Sequence, residues 1–168
     1  RTLDLHGRID TVRCMACEAR TPRAALQERL LAANPAWAAL SADIAPDGDA
    51  DLEHDDFGHF TVPGCTTCGG LLKPDVVFFG ESVPRDRVQA AMAAVDASDA
   101  VLVAGSSLMV YSGFRFVQAA AAAGKPIAAI NLGRTRADEL LSLKVQAPVG
   151  AALRTLADRL EAAGAPLR

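Results

Sequence analysis

The chain has 168 residues, a formal net charge of −3, a pI near 5.6 and 51% hydrophobic residues. A chain of this length and composition can form one packed domain, or one domain that carries a small module. The acidic balance and the scattered basic residues predict no general attraction to nucleic acid. No apolar run approaches the ~20 residues that span a bilayer, and the first ten residues lack the apolar segment of a signal peptide. We therefore expect neither a membrane-bound nor a secreted protein.

Four cysteines form two C-x2-C pairs, Cys14 with Cys17 and Cys65 with Cys68. Each pair places two thiolates on one tight turn, and two such turns complete the tetrahedron that a structural zinc ion prefers. Disulfides are rare in cytosolic proteins, whose composition this chain resembles. A redox pair or four inert thiols is the alternative. The spacing predicts one structural zinc ion.

The segment between the two pairs begins with a predicted helix over Arg23–Ala33. Thr21 is its expected N-cap and Pro22 its expected first residue, and leucines at helical spacing give it an apolar stripe. Asn34 and the proline after it should end the helix.

Residues 43–59 are acidic and rich in turn-forming residues, so we expect a solvated loop there. His54 and His59 lie in this loop. They could bind a metal ion, but the four cysteines already complete a site, and surface histidines are the simpler interpretation.

From residue 71 onward, apolar runs alternate with helical patterns. The runs Val76–Phe79, Ala100–Ala104 and Pro126–Leu132 are typical of strands, and the first could also be an extended segment. Helical spacing covers residues 85–97, 113–123 and 150–162, with Gly124 as the C-cap of the second helix. This alternation predicts an α/β fold with a parallel sheet, in which ligands bind at the carboxyl ends of the strands.

Two turns that could bind a ligand follow predicted strands. Gly105, Ser106 and Ser107 stand between a strand and a helix, where glycine permits close approach of a ligand and serine supplies donors. Asn131 follows the next strand, where its amide could meet the hydroxyls of a ribose. Each turn alone could equally be an ordinary connection.

Two further segments carry unusual chemistry. His6-Gly7 lies shortly before the first cysteine pair, and a lone histidine is more often structural than catalytic. The segment Lys73–Glu81, KPDVVFFGE, joins a polar start, an apolar run and a Gly-Glu exit. It could also be a simple core strand.

Taken in order, LHG at 5–7, the two C-x2-C pairs, KPDVVFFGE at 73–81, GSSLMVYSG at 105–113 and INLG at 130–133 resemble a sirtuin. Sirtuins are NAD-dependent protein lysine deacylases. The TPR and LQER stretches near the predicted helix and the long segment between the cysteine pairs resemble the class II group. The Gly-Ala-Gly phosphate loop and the Gln-Asn-x-Asp motif of the family do not occur in these residues. We therefore expect the chain to be the C-terminal part of a sirtuin and to be inactive on its own.

The resemblance implies a Rossmann-like NAD-binding domain, incomplete at its N-terminus, formed by residues 1–12 and 71–168. Residues 13–70 would be an inserted zinc-binding module. The implied reaction removes acyl groups from protein lysine and yields nicotinamide and O-acyl-ADP-ribose.

The resemblance also implies a role for each matching residue. His6 would be the general base on a ribose hydroxyl. The substrate strip, which would pair with an acylated peptide as an added strand, would be Val77, Phe78, Phe79 and Gly80. The NAD-binding residues would be Gly105, Ser106, Ser107, Asn131, Leu132, Gly133 and Val149. The zinc ligands would be the four cysteines, too far from the chemistry to activate water.

Two other functions remain open at this level. The same cofactor could serve mono-ADP-ribosylation of a protein, or the chain could be a zinc-stapled nucleotide-binding or interaction module without catalysis. We expect acylated proteins as partners, no nucleic acid and no membrane. The expected location is the bacterial cytoplasm, or the mitochondrial matrix if the protein is eukaryotic. No acyl preference or oligomeric state follows from the sequence.

Overall fold

The computed structural model describes residues 2–41, 43–44, 46 and 57–164. These residues fall into two compact units, His6–Ser82 and a second unit of Arg1–Leu5 with Val83–Arg168. The predicted zinc module, residues 13–70, lies inside the first unit, which also contains the strands on either side of it. The assignment of residues 1–12 to a nucleotide-binding domain stays a prediction. His54 lies outside the described residues. None of the helices that the structure describes is long and apolar enough to cross a membrane.

The first unit is built on a three-stranded antiparallel sheet in the order β2-β1-β3. Its strands are β1 (Gly7–Cys14), β2 (Arg20–Pro22) and β3 (Leu72–Val76). Strand β1 ends at the first cysteine pair, and β3 begins shortly after the second. The central strand β1 therefore brings the two pairs together, although the sequence pattern did not predict it.

Helix α1 (Arg23–Ala33) confirms the predicted helix and its end at Asn34. The predicted start is wrong by one residue. Pro22 is the N-cap, with an extended ψ of 138°, because Thr21 and Pro22 still pair with β1 in the sheet. The short helix α2 (Pro35–Ala38) and a single 3-10 turn, Phe57–His59, follow. The predicted loop 43–59 is described only in part.

Asn34 joins this inserted segment to the chain before the second cysteine pair. Its side chain is 5% exposed. The amide nitrogen donates to the carbonyls of Leu30 and Thr61, both at 2.8 Å, and the amide oxygen accepts from the Thr61 N–H at 2.7 Å. The buried amide thus has partners on both its nitrogen and its oxygen.

The second unit contains the predicted parallel sheet, in the order β4-β5-β6. Its strands are β4 (Val101–Ala104), β5 (Ile127–Ile130) and β6 (Leu143–Val145), and its helices are α3 (Arg85–Ala97), α4 (Tyr111–Ala122) and α5 (Val149–Ala162). The predicted strands and helices are confirmed within a few residues, and β6 is an addition. A 3-10 turn, Asp138–Leu140, precedes β6.

The core of this unit lies where α4 packs on the sheet. Val117, Ala120 and Ile127 are all at most 2% exposed. Gly124 ends α4 at a φ of +69°, as predicted, because a left-handed residue lets the following N–H groups bond back to the last turn. Lys125 then donates its ammonium protons to three carbonyls at the end of α3 and caps that helix.

Candidate functional site

The four cysteines meet at the end of the antiparallel sheet. Their sulfur atoms all lie within 4.8 Å of one another. Cys14 Sγ is 3.5 Å from Cys68 Sγ, and Cys17 Sγ is 3.8 Å from Cys65 Sγ. A tetrahedral zinc site with Zn–S bonds of about 2.3 Å has S···S edges of about 3.8 Å. The sulfur positions therefore fit a single zinc ion.

Backbone N–H groups point at one sulfur of each pair. The N–H groups of Ala16 and Cys17 lie 3.4 and 3.5 Å from Cys14 Sγ, and that of Thr67 lies 3.4 Å from Cys65 Sγ. These donors favour the thiolate, so they lower the pKa of Cys14 and bring the pKa of Cys65 to about 6. Soft thiolates are the ligands that zinc selects.

Cys17 shows the opposite behaviour. The backbone N–H of Ala19 acts to lower its pKa, but hydrogen bonds that the thiol shares with Cys68 and Cys14 favour the protonated form and raise the pKa to about 12. Without a cation, four sulfurs so close together cannot all carry charge. A bound zinc ion would supply that charge, and four thiolates would leave it no open position for substrate. Among the described residues, no histidine belongs to this cluster.

Two glycines let the turns of the cysteine pairs close. A Cβ atom at Gly70 would lie 2.9 Å from the Ala16 Cβ and 3.1 Å from Cys14 Sγ. A Cβ atom at Gly64 would lie 2.5 Å from the carbonyl oxygen of Gly69. Side chains at these positions would displace the sulfurs or the turn that holds them.

The first unit also brings His6 beside the predicted substrate strip. The sheet pairs Gly7 with Val76, and the N–H of Val77 donates to the His6 carbonyl at 2.9 Å. His6 is exposed. Residues 69 and 71 positions apart in the chain therefore become neighbours because β1 and β3 are adjacent strands.

The strip bends away from the sheet after Val77. The N–H of Phe78 donates to a carboxylate oxygen of Glu81 at 3.0 Å, and the N–H of Glu81 donates to the Phe78 carbonyl at 3.0 Å. Lys73 holds both oxygens of Glu81, at 2.6 and 2.8 Å, and lies 4.9 Å from the centre of the Phe78 ring. This ion pair lowers the pKa of Glu81.

The apolar run is consequently not a buried strand. Strand β3 ends at Val76, Phe78 is half exposed and Phe79 is 100% exposed. Gly80 has a φ of +89°, so the chain reverses there and Glu81 comes back beside Phe78. The turn therefore presents the whole Phe79 ring to solvent.

The second unit places the predicted cofactor residues at one edge of its sheet. Gly105 directly follows β4, with a φ of +66°. A Cβ atom there would lie 3.3 Å from a methyl group of Val149, the first residue of α5. Ser106 accepts the N–H of Leu108 on its hydroxyl oxygen at 3.2 Å, and Ser107 is exposed. The predicted residues Gly105 and Val149 therefore lie together.

Asn131 directly follows β5 at the same edge. Its backbone N–H donates to the Val145 carbonyl of β6 at 3.1 Å, and its amide nitrogen donates to the Leu132 carbonyl at 3.0 Å. Leu132 is 65% exposed, and Gly133 has a φ of +78°. Exposed glycine and polar turns at the carboxyl ends of parallel strands fit a nucleotide.

Sequence reasoning missed the segment that follows Gly133. Thr135 is 4% exposed, and its N–H and hydroxyl both donate to Asp138, at 3.1 and 2.6 Å. Asp138 also accepts from Lys144 of β6 at 2.7 Å, and these bonds lower its pKa to about 2, with the Lys144 bond the larger cause. Arg136, between them, reaches the turn after β4. A dense run of polar residues directly after a strand-end turn was the available signal.

Comparison with known proteins identifies the family. The Sir2 family model matches residues 1–112. An NAD-dependent protein deacetylase of Bordetella bronchiseptica is 69% identical over 146 residues, which are 87% of this chain and 53% of that protein. One of Xanthomonas campestris is 66% identical over 154 residues, 92% of this chain and 53% of that protein. The chain thus spans about half the length of these curated relatives.

The fold agrees with that kinship. A solved structure of Sir2 with a p53 peptide and NAD+ superimposes with a TM-score of 0.70 at 23% identity, covering 99% of this chain and 57% of that one. At this identity the likeness establishes the fold alone. The family match over residues 1–112 carries the identification: this chain belongs to the Sir2 family.

Proposed function

We propose that the protein containing this chain removes acyl groups from protein lysine in an NAD-dependent reaction that yields nicotinamide and O-acyl-ADP-ribose. The high identity to bacterial proteins named NAD-dependent protein deacetylases carries this proposal. Two of the groups of residues that such a reaction needs occur in the chain. One lies beside His6, and the other lies at the carboxyl edge of the parallel sheet.

His6 is the proposed general base. When NAD is bound, it supplies a ribose carbon activated by a good leaving group, nicotinamide. His6 accepts the proton of a ribose hydroxyl, which makes that oxygen a better nucleophile. Its exposure and the hydrogen bond between its carbonyl and Val77 support this role, because the imidazole is accessible while its backbone is fixed.

The strip from Val77 to Gly80 is the proposed binding surface for the acylated peptide. The end of β3 can add a peptide as a further strand, and the turn that follows it offers side-chain contacts that give specificity. The exposed ring of Phe79 offers apolar surface for an acyl chain or its lysine stem. The ion pair of Lys73 with Glu81 supports the proposal, since it fixes the turn before any peptide arrives.

The proposed NAD-binding residues belong to the two strand-end turns and the start of α5: Gly105, Ser106, Ser107, Asn131, Leu132, Gly133 and Val149. Glycines there permit close approach of the ligand, and the hydroxyls of Ser106 and Ser107 and the amide of Asn131 supply polar partners. The zinc ion, held by the four cysteines, is proposed to be purely structural. We also propose a bacterial cytoplasmic location, supported by the bacterial source of the relatives.

Product analysis by mass spectrometry tests the proposal in the full-length protein with an acetyl-lysine peptide, NAD and a carrier protein. We expect O-acetyl-ADP-ribose and free peptide lysine. The His6→Ala variant should lose at least 100-fold in rate, within the range of general-base contributions of ~10²–10⁴, and should keep its melting temperature. ADP-ribosylated carrier protein without deacetylated peptide would favour the transferase alternative. Nucleotide binding without any product would favour a non-catalytic module.

A further inference from the structure

The turn after β4, residues Gly105–Val110, adopts a conformation that its own residues do not favour. Leu108 has a φ of +58°, in the left-handed region that side chains other than glycine seldom occupy, and it is only 9% exposed. Such a residue persists only where surrounding contacts hold it, and strained residues of this kind concentrate at ligand sites. Among the described hydrogen bonds, the turn's own side chains supply one to Leu108: its N–H donates to the Ser106 hydroxyl.

Arg136 supplies support from outside the turn. Its backbone N–H donates to the Ser107 carbonyl at 2.9 Å, and its Nη1 donates to the Met109 carbonyl at 3.0 Å. These two carbonyls flank Leu108 on either side. The guanidinium carbon lies 4.5 Å from the centre of the Phe114 ring, which is 8% exposed in α4. One residue therefore fixes the strained turn on both sides of Leu108 and ties it to the following helix.

The backbone of Arg136 is itself held on both sides. Thr135 and Ala137 are at most 4% exposed. Asp138 accepts two hydrogen bonds from Thr135 and one from Lys144 of β6. The backbone of Arg136 is thus held in the β5–β6 connection, and its side chain reaches the β4–α4 turn. It couples the two strand-end turns to which NAD binding is assigned above.

We propose that Arg136 is a positioning residue for nucleotide binding: it holds Ser106 and Ser107 in the conformation that receives NAD. The proposal rests on the proposed function. A guanidinium is suited to the task because it is planar, can stack on a ring and can donate in a fixed direction at the same time. Lysine at this position would keep the positive charge and could still donate a hydrogen bond, but it would lose the planar stacking on Phe114.

The test combines hydrogen exchange with nucleotide binding in the full-length protein. In Arg136→Ala, we expect faster amide exchange confined to residues 106–110 and a dissociation constant for ADP-ribose raised on the order of ten-fold, as displaced binding groups produce. KM for NAD should rise similarly while kcat changes less than two-fold. Arg136→Lys should recover part of each effect. Arg159→Ala, which changes an exposed arginine of α5, is the matched control and should leave every measurement unchanged.

The outcomes separate the two proposals. Unchanged ADP-ribose affinity in Arg136→Ala, or a loss of kcat without a change in KM, would overturn the positioning role. If the alanine variant unfolds, the same comparison in Arg136→Lys decides. If wild-type protein binds no ADP-ribose, the proposed function fails. Amide exchange at residues 106–110 in Arg136→Ala then still reports whether Arg136 holds the turn. Exchange equal to that of wild type would overturn this structural role as well.

Discussion

Replacing Gly70 by alanine should weaken zinc binding, because the added methyl group has no room beside the sulfur cluster. Its carbon would lie 2.9 Å from the Ala16 Cβ, 3.1 Å from Cys14 Sγ and 3.3 Å from Cys68 Sγ. The Ala16 Cβ moves only with its backbone, and the two sulfurs can rotate away only by leaving the zinc site. Overpacking of this kind costs about 1–3 kcal/mol. If that cost falls on the zinc-loaded state, zinc affinity should drop roughly five- to 150-fold.

Competition with a chromogenic chelator in reducing buffer measures this affinity, and thermal unfolding measures stability in parallel. Gly150→Ala is the matched control. Among the described residues, its added Cβ atom would meet only the Arg154 side chain, at an ordinary 3.6 Å, and alanine favours the helix by up to about 1 kcal/mol. Equal zinc affinity in Gly70→Ala and wild type would refute the inferred packing of the cysteine turns.

Three further changes test other parts of the structure. Asn34→Ala should lower the free energy of unfolding by about 1–3 kcal/mol in urea titrations, since it removes the three hydrogen bonds that the buried Asn34 amide makes with Leu30 and Thr61; a smaller change would contradict the inferred role of Asn34 in joining these two segments. Glu81→Gln breaks the ion pair with Lys73 and should raise KM for the acylated peptide more than KM for NAD. An equal rise in both KM values would contradict the role of this ion pair in holding the peptide-binding strip. Asp138 has a lowered pKa, about 2 against an ordinary 3.8, so its contribution to stability is full above the ordinary value and is lost as the pH falls toward 2. Asp138→Asn should therefore melt below wild type at pH 7, with the difference shrinking in acid, and a difference independent of pH would exclude the carboxylate bond to Lys144.

Local patterns predicted the second unit well because its helices and strands follow simple periods. Apolar spacing in α3 to α5 and the short runs of β4 and β5 are properties of neighbouring residues. Because these patterns also predict where the strands end, the sequence points to the turns at Gly105 and Asn131 as ligand-binding positions. The family resemblance added His6, which no periodicity singles out.

The first unit was harder to predict because distant residues determine it. Strand β1 alternates poorly, with Ile9 70% exposed, and forms because β2 and β3 pair with its two edges. The run ending in Phe78 and Phe79 suggested burial, yet Glu81 takes the Phe78 N–H and turns the rings outward. Arg136 acts across more than 25 residues, on the Met109 carbonyl, and no local pattern reports such a contact.

In the proposed reaction, removal of the acyl group from lysine consumes NAD. The most direct measurement is a time course of nicotinamide and of free peptide lysine from one reaction of the full-length protein with an acetyl-lysine peptide. We expect the two products to appear in equal amounts, and neither to appear without NAD or in His6→Ala above about 1% of the wild-type rate. Free lysine formed without NAD, or nicotinamide released without free lysine, would contradict it.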